Sequence, residues 1–234
     1  MNKILSLLTI IILFIGCVPH TERTIYPVEE FILVKKTLFI NVCNKIINKC
    51  KDDNFIGSGS GVVIRHRGTK SYILTAEHVC ASALGKAPIF VEISLKETKI
   101  KLTNSRDKTK AAKIFATDTK HDLCILETER MNTPAIKISK RSPKRYDKVY
   151  NVAAPRGRWT KGNALFFEGY FSGYDEDDEA TFILNAMPGS SGSPIVNSHG
   201  QLVGIVSKVL LPGYSVVYGA SHKHIKKFVK ETFE

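Results

Sequence analysis

From Phe31 onward, apolar and polar positions alternate in short runs. The runs are rich in Val, Ile, Phe and Tyr and are broken by clusters of Gly, Asn, Asp and Pro. This is the punctuation of strands and turns rather than of helices. The runs predict strands at Phe31–Val42, Ser60–Arg65, Tyr72–Thr75, Ile89–Leu95, Ile114–Thr117 and Leu123–Glu127. A second set follows at Lys148–Ala153, Ala164–Tyr174, Ala180–Asn185, Pro194–Asn197, Leu202–Val209 and Ser215–Tyr218. The stretch Thr128–Tyr146, with Pro134, Pro143 and many charges, separates the two sets. About six strands on each side of a linker predict an all-β chain of two small antiparallel barrels. The acidic run Asp175–Glu179 is expected to tip a hairpin. One helix is expected, His222–Phe233, capped by Ser221, with Ile225, Phe228 and Val229 on one face and lysines on the other.

The chain before Phe31 reads differently. Lys3 precedes an apolar run from Ile4 to Ile15. About 12 residues is short for a bilayer span and suits a signal peptide. The run ends in Phe14-Ile15-Gly16-Cys17. A small residue before a cysteine resembles a bacterial lipoprotein processing site, although Phe14 stands where Leu is usual. That resemblance implies cleavage before Cys17 and lipidation of its sulfur. The alternatives are an ordinary secretory signal, with the product secreted, or an uncleaved anchor, in both cases with Cys17 incidental. The expected organisation is signal peptide 1–16, tether 17–30, N-terminal barrel 31–128, linker 129–145, C-terminal barrel 146–220 and helix 221–234. No later segment is apolar enough to cross a membrane, so the expected place is extracytoplasmic, at a periplasmic or cell-surface membrane.

An oxidising compartment gives the other cysteines meaning. Cys43 and Cys50 flank a short polar stretch, which suggests a local staple. Cys80 and Cys124 suit either a second bridge or buried free thiols. No CxxC or HxxxH spacing points to zinc, and no EF-hand spacing points to calcium, so no metal or cofactor is expected. The net charge is +12, and removal of residues 1–16 takes away only Lys3. Such charge can draw a protein towards anionic lipid or acidic polymers, but the favoured reading is a solvated surface. Nucleic acid is not expected, because no aromatic residues interleave the Lys-rich stretch Lys96–Lys113 as a stacking platform needs.

Three short motifs carry chemistry: Thr75-Ala76-Glu77-His78-Val79, Asp122-Leu123-Cys124-Ile125-Leu126 and Pro188-Gly189-Ser190-Ser191-Gly192-Ser193-Pro194. With Gly57-Ser58-Gly59-Ser60-Gly61-Val62-Val63 they resemble the trypsin-like serine peptidases, and in particular the bacterial HtrA-type and glutamyl-endopeptidase-type branch. The resemblance covers roughly residues 55–220, and the order His, Asp, Ser excludes α/β-hydrolases. It implies a chymotrypsin-like double barrel with a catalytic triad in the cleft. Ser191 is the nucleophile, His78 the general base and then acid, and Asp122 holds the imidazole tautomer. Backbone N–H groups of Gly189 and Ser191 supply the oxyanion hole.

Two rivals lie close in sequence. His121 adjoins Asp122 but is expected to point to the opposite strand face. Ser190 and Ser193 flank the nucleophile, but the family places it directly before Gly-x-Pro, which selects Ser191. Ser190 also stands where digestive trypsins carry Asp, so activation through a freed N-terminus is not expected. By resemblance Asn185, Ser207, Val209 and Val216 line the pocket for the side chain before the scissile bond. No acidic residue lies there, and the valines favour a small or medium apolar side chain. His222 is a weaker option for an acidic one. The expected substrate is protein or peptide, and no room for a PDZ domain follows the second barrel. The competing functions are a catalytically silent, membrane-tethered binding module on the same scaffold, and an esterase.

Overall fold

The computed structural model describes residues 29–81, 88–158, 165–210 and 215–234. The signal peptide, Cys17 and most of the tether lie outside the described residues. Twelve strands form two closed six-stranded antiparallel barrels. The first barrel contains β1 (Phe31–Asn44), β2 (Lys49–Arg67), β3 (Lys70–Thr75), β4 (Val91–Asn104), β5 (Thr109–Asp118) and β6 (Leu123–Glu129). The second contains β7 (Lys148–Ala153), β8 (Leu165–Tyr174), β9 (Ala180–Leu184), β10 (Pro194–Val196), β11 (Leu202–Val209) and β12 (Val216–Ser221). A short helix, α1 (Glu77–Cys80), follows β3, a 3-10 turn spans Pro155–Gly157, and α2 (His222–Phe233) ends the chain.

The unbroken apolar runs of β2, β3 and β6 have a simple cause. Successive strand residues face opposite ways, and here both faces are covered. Val63, Ile73, Cys124 and Leu126 fill the interior of the first barrel. Their neighbours Val62, Leu74, Leu123 and Ile125 point out to meet Val196, Leu202 and Ile205 of the second. Ile225 and Phe228 of α2 complete that inter-barrel core, so the helix joins the two barrels rather than lying on one. Its end packs on the first barrel, where the Phe233 ring sits edge-on to Tyr72 at 4.9 Å and under the Arg65 guanidinium. Ser221 caps the helix by accepting a hydrogen bond from His224 N–H.

The strands β1, β2 and β4 run well past their barrel. β3 pairs with β2 only along Val62–Arg67, and β5 pairs with β4 only along Ile100–Thr103. The outer parts of β1, β2 and β4 pair only with one another, as a three-stranded ribbon that a disulfide between Cys43 and Cys50 closes near its tip. Thus β2 begins at Lys49 rather than Ser60, and β4 reaches Asn104 rather than Leu95. The polar residues of Lys49–Gly59 hid the outer part of β2, which lies over no core; in β4 the missed stretch enters the barrel, where Ile100 and Leu102 are buried but alternate with lysines.

Candidate active site

The two barrels meet where three segments converge. β3 ends at Thr75, and α1 then presents His78 with its side chain half exposed. The turn before β6 presents Asp122, whose φ of 52° is left-handed. The chain between β9 and β10 presents Ser191.

Asp122 grips His78 twice. One carboxylate oxygen accepts from the His78 backbone N–H at 2.9 Å, and the other accepts from Nδ1 at 2.8 Å. The imidazole is thereby held as the tautomer with its proton on Nδ1, leaving Nε2 as an acceptor. The Ser207 hydroxyl donates to the same carboxylate. Burial alone pushes the Asp122 carboxyl up, but the donors from His78 and Ser207 outweigh it and hold the group below its ordinary value. Two more links fix the pair. Cys80 and Cys124 form a disulfide, and both are fully buried. The ammonium of the buried Lys36 donates to the carbonyls of His78 and Ala81 at the end of α1.

Ser191 enters from the second barrel. Its hydroxyl donates to the Ser207 carbonyl at 3.4 Å, beside the hydroxyl that meets Asp122. Met187-Pro188-Gly189-Ser190 is a turn closed by Ser190 N–H to Met187 O at 2.8 Å, with Gly189 at φ 97°. Pro at the second position and Gly with positive φ at the third are the marks of a type II turn. The Pro188 carbonyl accepts from Arg156 N–H at 2.6 Å. Carbonyl and N–H of a trans peptide point opposite ways, so Gly189 N–H points away from Arg156. Among the described residues neither Gly189 N–H nor Ser191 N–H is used by another hydrogen bond. A side chain at Gly189 would strike Arg156 N at 2.6 Å, so glycine is required by space as well as by φ.

Ser60, buried on β2, ties this loop to the first barrel. Its N–H donates to Ser191 O at 2.8 Å, and its hydroxyl donates to Gly189 O at 3.0 Å while accepting from Ala154 N–H. Sequence reasoning did not single out Ser60, Lys36 or the Pro155–Gly157 turn. Only the Gly-Ser repeat hinted at the first, because a close backbone approach between barrels needs small residues there.

The expectations for His121 and His222 need correction. His121 does not alternate with Asp122 along a strand: it lies in the turn before β6. Its Nδ1 pairs with Asp118 at 2.6 Å, and its ring stacks on His224 at 3.8 Å. His222 has no place in a substrate pocket. It is buried at the start of α2, bonded to Ser139 O at 2.6 Å and Ser142 Oγ at 3.0 Å. Of the residues expected in the specificity pocket, Ser207 directs its side chain to Asp122. Asn185 accepts from Ser215 Oγ at 2.5 Å, and Val209 packs on the core of the second barrel. Residues 211–214, between β11 and β12, lie outside the described residues. Asp175–Glu179 does join β8 to β9. From His78 and Asp122 a cavity of 660 Å³ continues past Ser207 and Lys208 to Asp177 and Glu179 of that hairpin.

Comparison with known proteins agrees with this geometry. The trypsin-like peptidase domain family matches residues 59–205. The serine protease Do-like HtrB of Bacillus subtilis (strain 168) is 28% identical over 162 residues, covering 63% of this chain and 32% of that protein. The probable periplasmic serine endoprotease DegP-like of Hahella chejuensis is 30% identical over 162 residues, covering 65% and 30%. The HtrA-like serine protease of Staphylococcus aureus (strain MRSA252) is 26% identical over 193 residues, covering 74% and 23%. The matches thus span a third or less of these relatives. Among solved structures, the serine endoprotease from Yersinia pestis superposes with a TM-score of 0.65 at 18% identity, covering 93% of this chain and 67% of the other. The Rv3671c protease in its inactive form does so with a TM-score of 0.61 at 15% identity, covering 89% and 91%. The matched span holds His78, Asp122 and Ser191 in the order and setting just described, and the chain belongs to the trypsin-like peptidase domain family.

Proposed function

We propose that this chain is a serine endopeptidase that cleaves peptide bonds through an acyl-enzyme on Ser191. The observation that carries the reading is the doubly held His78–Asp122 pair, set beside a nucleophile loop whose type II turn leaves two N–H groups unspent. A serine hydroxyl is a poor nucleophile until a base takes its proton. In the first step the Ser191 hydroxyl turns from the Ser207 carbonyl onto His78 Nε2, which takes its proton as Oγ attacks the substrate carbonyl. Asp122 stabilises the imidazolium so formed. The developing oxyanion is received by Gly189 N–H and Ser191 N–H, each worth about 3 kcal/mol in related chemistry. His78 then protonates the leaving amine, and water, activated by the same imidazole, releases the acid. No cofactor enters these steps.

The substrate is a peptide or protein in extended form. Processing before Cys17 and lipidation of its sulfur would hold the enzyme at an extracytoplasmic membrane face. The testing experiment is reaction with a fluorophosphonate probe, read as labelled mass, for the wild type and Ser191→Ala. Labelling lost in the variant supports the activated serine. A folded wild type that stays unlabelled overturns it.

A further inference from the structure

We propose that the β1–β2–β4 ribbon is a membrane-docking blade whose tip inserts into the interface of an anionic bilayer. The proposal goes beyond the peptidase reading and does not depend on it. From Lys36 to Asn44 the ribbon extends about 26 Å at roughly 3.3 Å per residue. Its tip is made by the turn after β1 and the residues before β4, joined by Lys45 N–H to Phe90 O at 2.9 Å. Four large apolar side chains stand in water there: Ile46 is 74% exposed, Ile47 60%, Ile89 96% and Phe90 49%. Single exposed apolar residues are ordinary, but a cluster at the end of a projecting, disulfide-closed element marks an interaction site.

The register extends this cluster along one face. Ile40 pairs with Leu95, Val42 with Ile93 and Asn44 with Val91, and cross-strand partners share a face. Lys51 pairs with Val42, and Lys49 with Asn44, so both ammonium groups border the same apolar stripe. Neither has an acidic partner among the described residues, whereas Lys45 on the turn is matched by Glu92 at 3.3 Å. The carboxylate on this face, Asp53, lies opposite Ile40, farther from the tip.

An apolar tip bordered by unpaired lysines fits a lipid interface, where the side chains enter the acyl boundary and the ammonium groups stay among anionic headgroups. It fits a second copy of this chain poorly. A two-fold contact sets the patch against its own copy, so two lysine-bordered surfaces of like charge would meet. The 13 residues between Cys17 and Phe31 can extend about 45 Å. An anchor at Cys17 therefore leaves the tip free to meet the same bilayer.

The test uses the full chain with Cys17→Ser, carrying Ile47→Cys labelled with an environment-sensitive fluorophore. A second preparation carries the label at His199→Cys, between β10 and β11 of the other barrel. Both are bound to phosphatidylglycerol vesicles, where the leader holds the chain whatever the tip does. The expected result is a blue-shifted label at position 47 that is at least threefold less accessible to an aqueous quencher than the label at 199. Equal quenching at the two positions overturns the proposal. A label at 47 already shielded without lipid, in a chain that sediments as a dimer, also overturns it and assigns the face to a second copy.

Discussion

Cys80 and Cys124 are bonded to each other, and each stands two residues past one member of the His78–Asp122 pair. The bridge closes a loop of 44 residues and fastens α1 to the start of β6, the two segments whose relative position sets the His–Asp hydrogen bond. Loop-closure entropy for that length corresponds to about 4 kcal/mol. The double variant Cys80→Ser, Cys124→Ser is expected to lose about 2–4 kcal/mol in urea unfolding. Its fluorophosphonate labelling should also slow where it remains folded. Unchanged stability would mean that barrel packing alone holds these segments. Both sulfurs are buried, so mild reductant should leave the native enzyme active.

Lys36 supports the same helix from the opposite side. Its ammonium meets the carbonyls of His78 and Ala81 where the helix has unspent acceptors and a negative dipole end. Burial lowers its pKa, and the nearby Glu77 acts against that. Hydrogen bonds to a charged group are worth about 1.5–3 kcal/mol, less where solvent reaches them. Lys36→Met should therefore destabilise the protein by about 1–2 kcal/mol and lower kcat more than it raises KM, because it moves the base rather than the substrate site. Lys36→Arg should recover part of the loss. A Met variant with wild-type kcat would reduce Lys36 to a packing role.

What the sequence made legible follows from where burial imposes a period. β7 and β11 were readable to the residue, because Lys148–Ala153 and Leu202–Val209 sit in the second barrel with apolar positions dictated by the core. Helix α2 was equally plain, since Ile225 and Phe228 must face one way. The outer part of β2 carries no such constraint, and its Lys and Asp residues read as loop; in β4 the outer part was legible at Ile89–Leu95, and it was the barrel end, with Ile100 and Leu102 set among lysines, that was missed. The proposed triad residues His78, Asp122 and Ser191 stood out in the sequence because their motifs are short and local. Ser60 and Lys36 were not, and Ser207 was read only as a pocket residue: each acts through a partner far away in sequence, Gly189, His78 and Asp122 respectively. Chemistry made by tertiary contact leaves no spacing to find.

Ser60 gives the clearest test of such a contact. Its buried hydroxyl bridges Ala154 N–H and Gly189 O, so it joins both barrels at the loop proposed to hold the oxyanion. Ser60→Ala leaves the Ala154 N–H without a partner in a buried place, at about 1–3 kcal/mol. The Gly189 peptide also loses a restraint. The expected outcome is a roughly tenfold fall in kcat with KM within about twofold, since an oxyanion donor acts mainly in the transition state. Loss of stability with kcat preserved would show that the clamp serves folding alone.

His222 sets a pH limit on stability. It is buried at the first position of α2, with Nε2–H donated to Ser139 O and Nδ1 accepting from Ser142 Oγ, a set that suits the neutral ring. Burial lowers its pKa most. The Ser139 contact acts the other way, and Lys226 adds to the lowering. The positive end of the helix dipole favours the same direction. Because the folded value lies below the unfolded one, near 6.5, the unfolded chain takes up the proton first. The contribution of His222 is thus complete above about pH 6.5 and shrinks as the pH falls towards the folded pKa. Urea unfolding of the wild type should show a midpoint that drops between pH 7 and 5. His222→Gln, which keeps a donor and an acceptor but cannot titrate, should lose less over that interval. Parallel curves for the two proteins would place the acid sensitivity elsewhere, and the stacked pair His121 and His224 would be the next to replace.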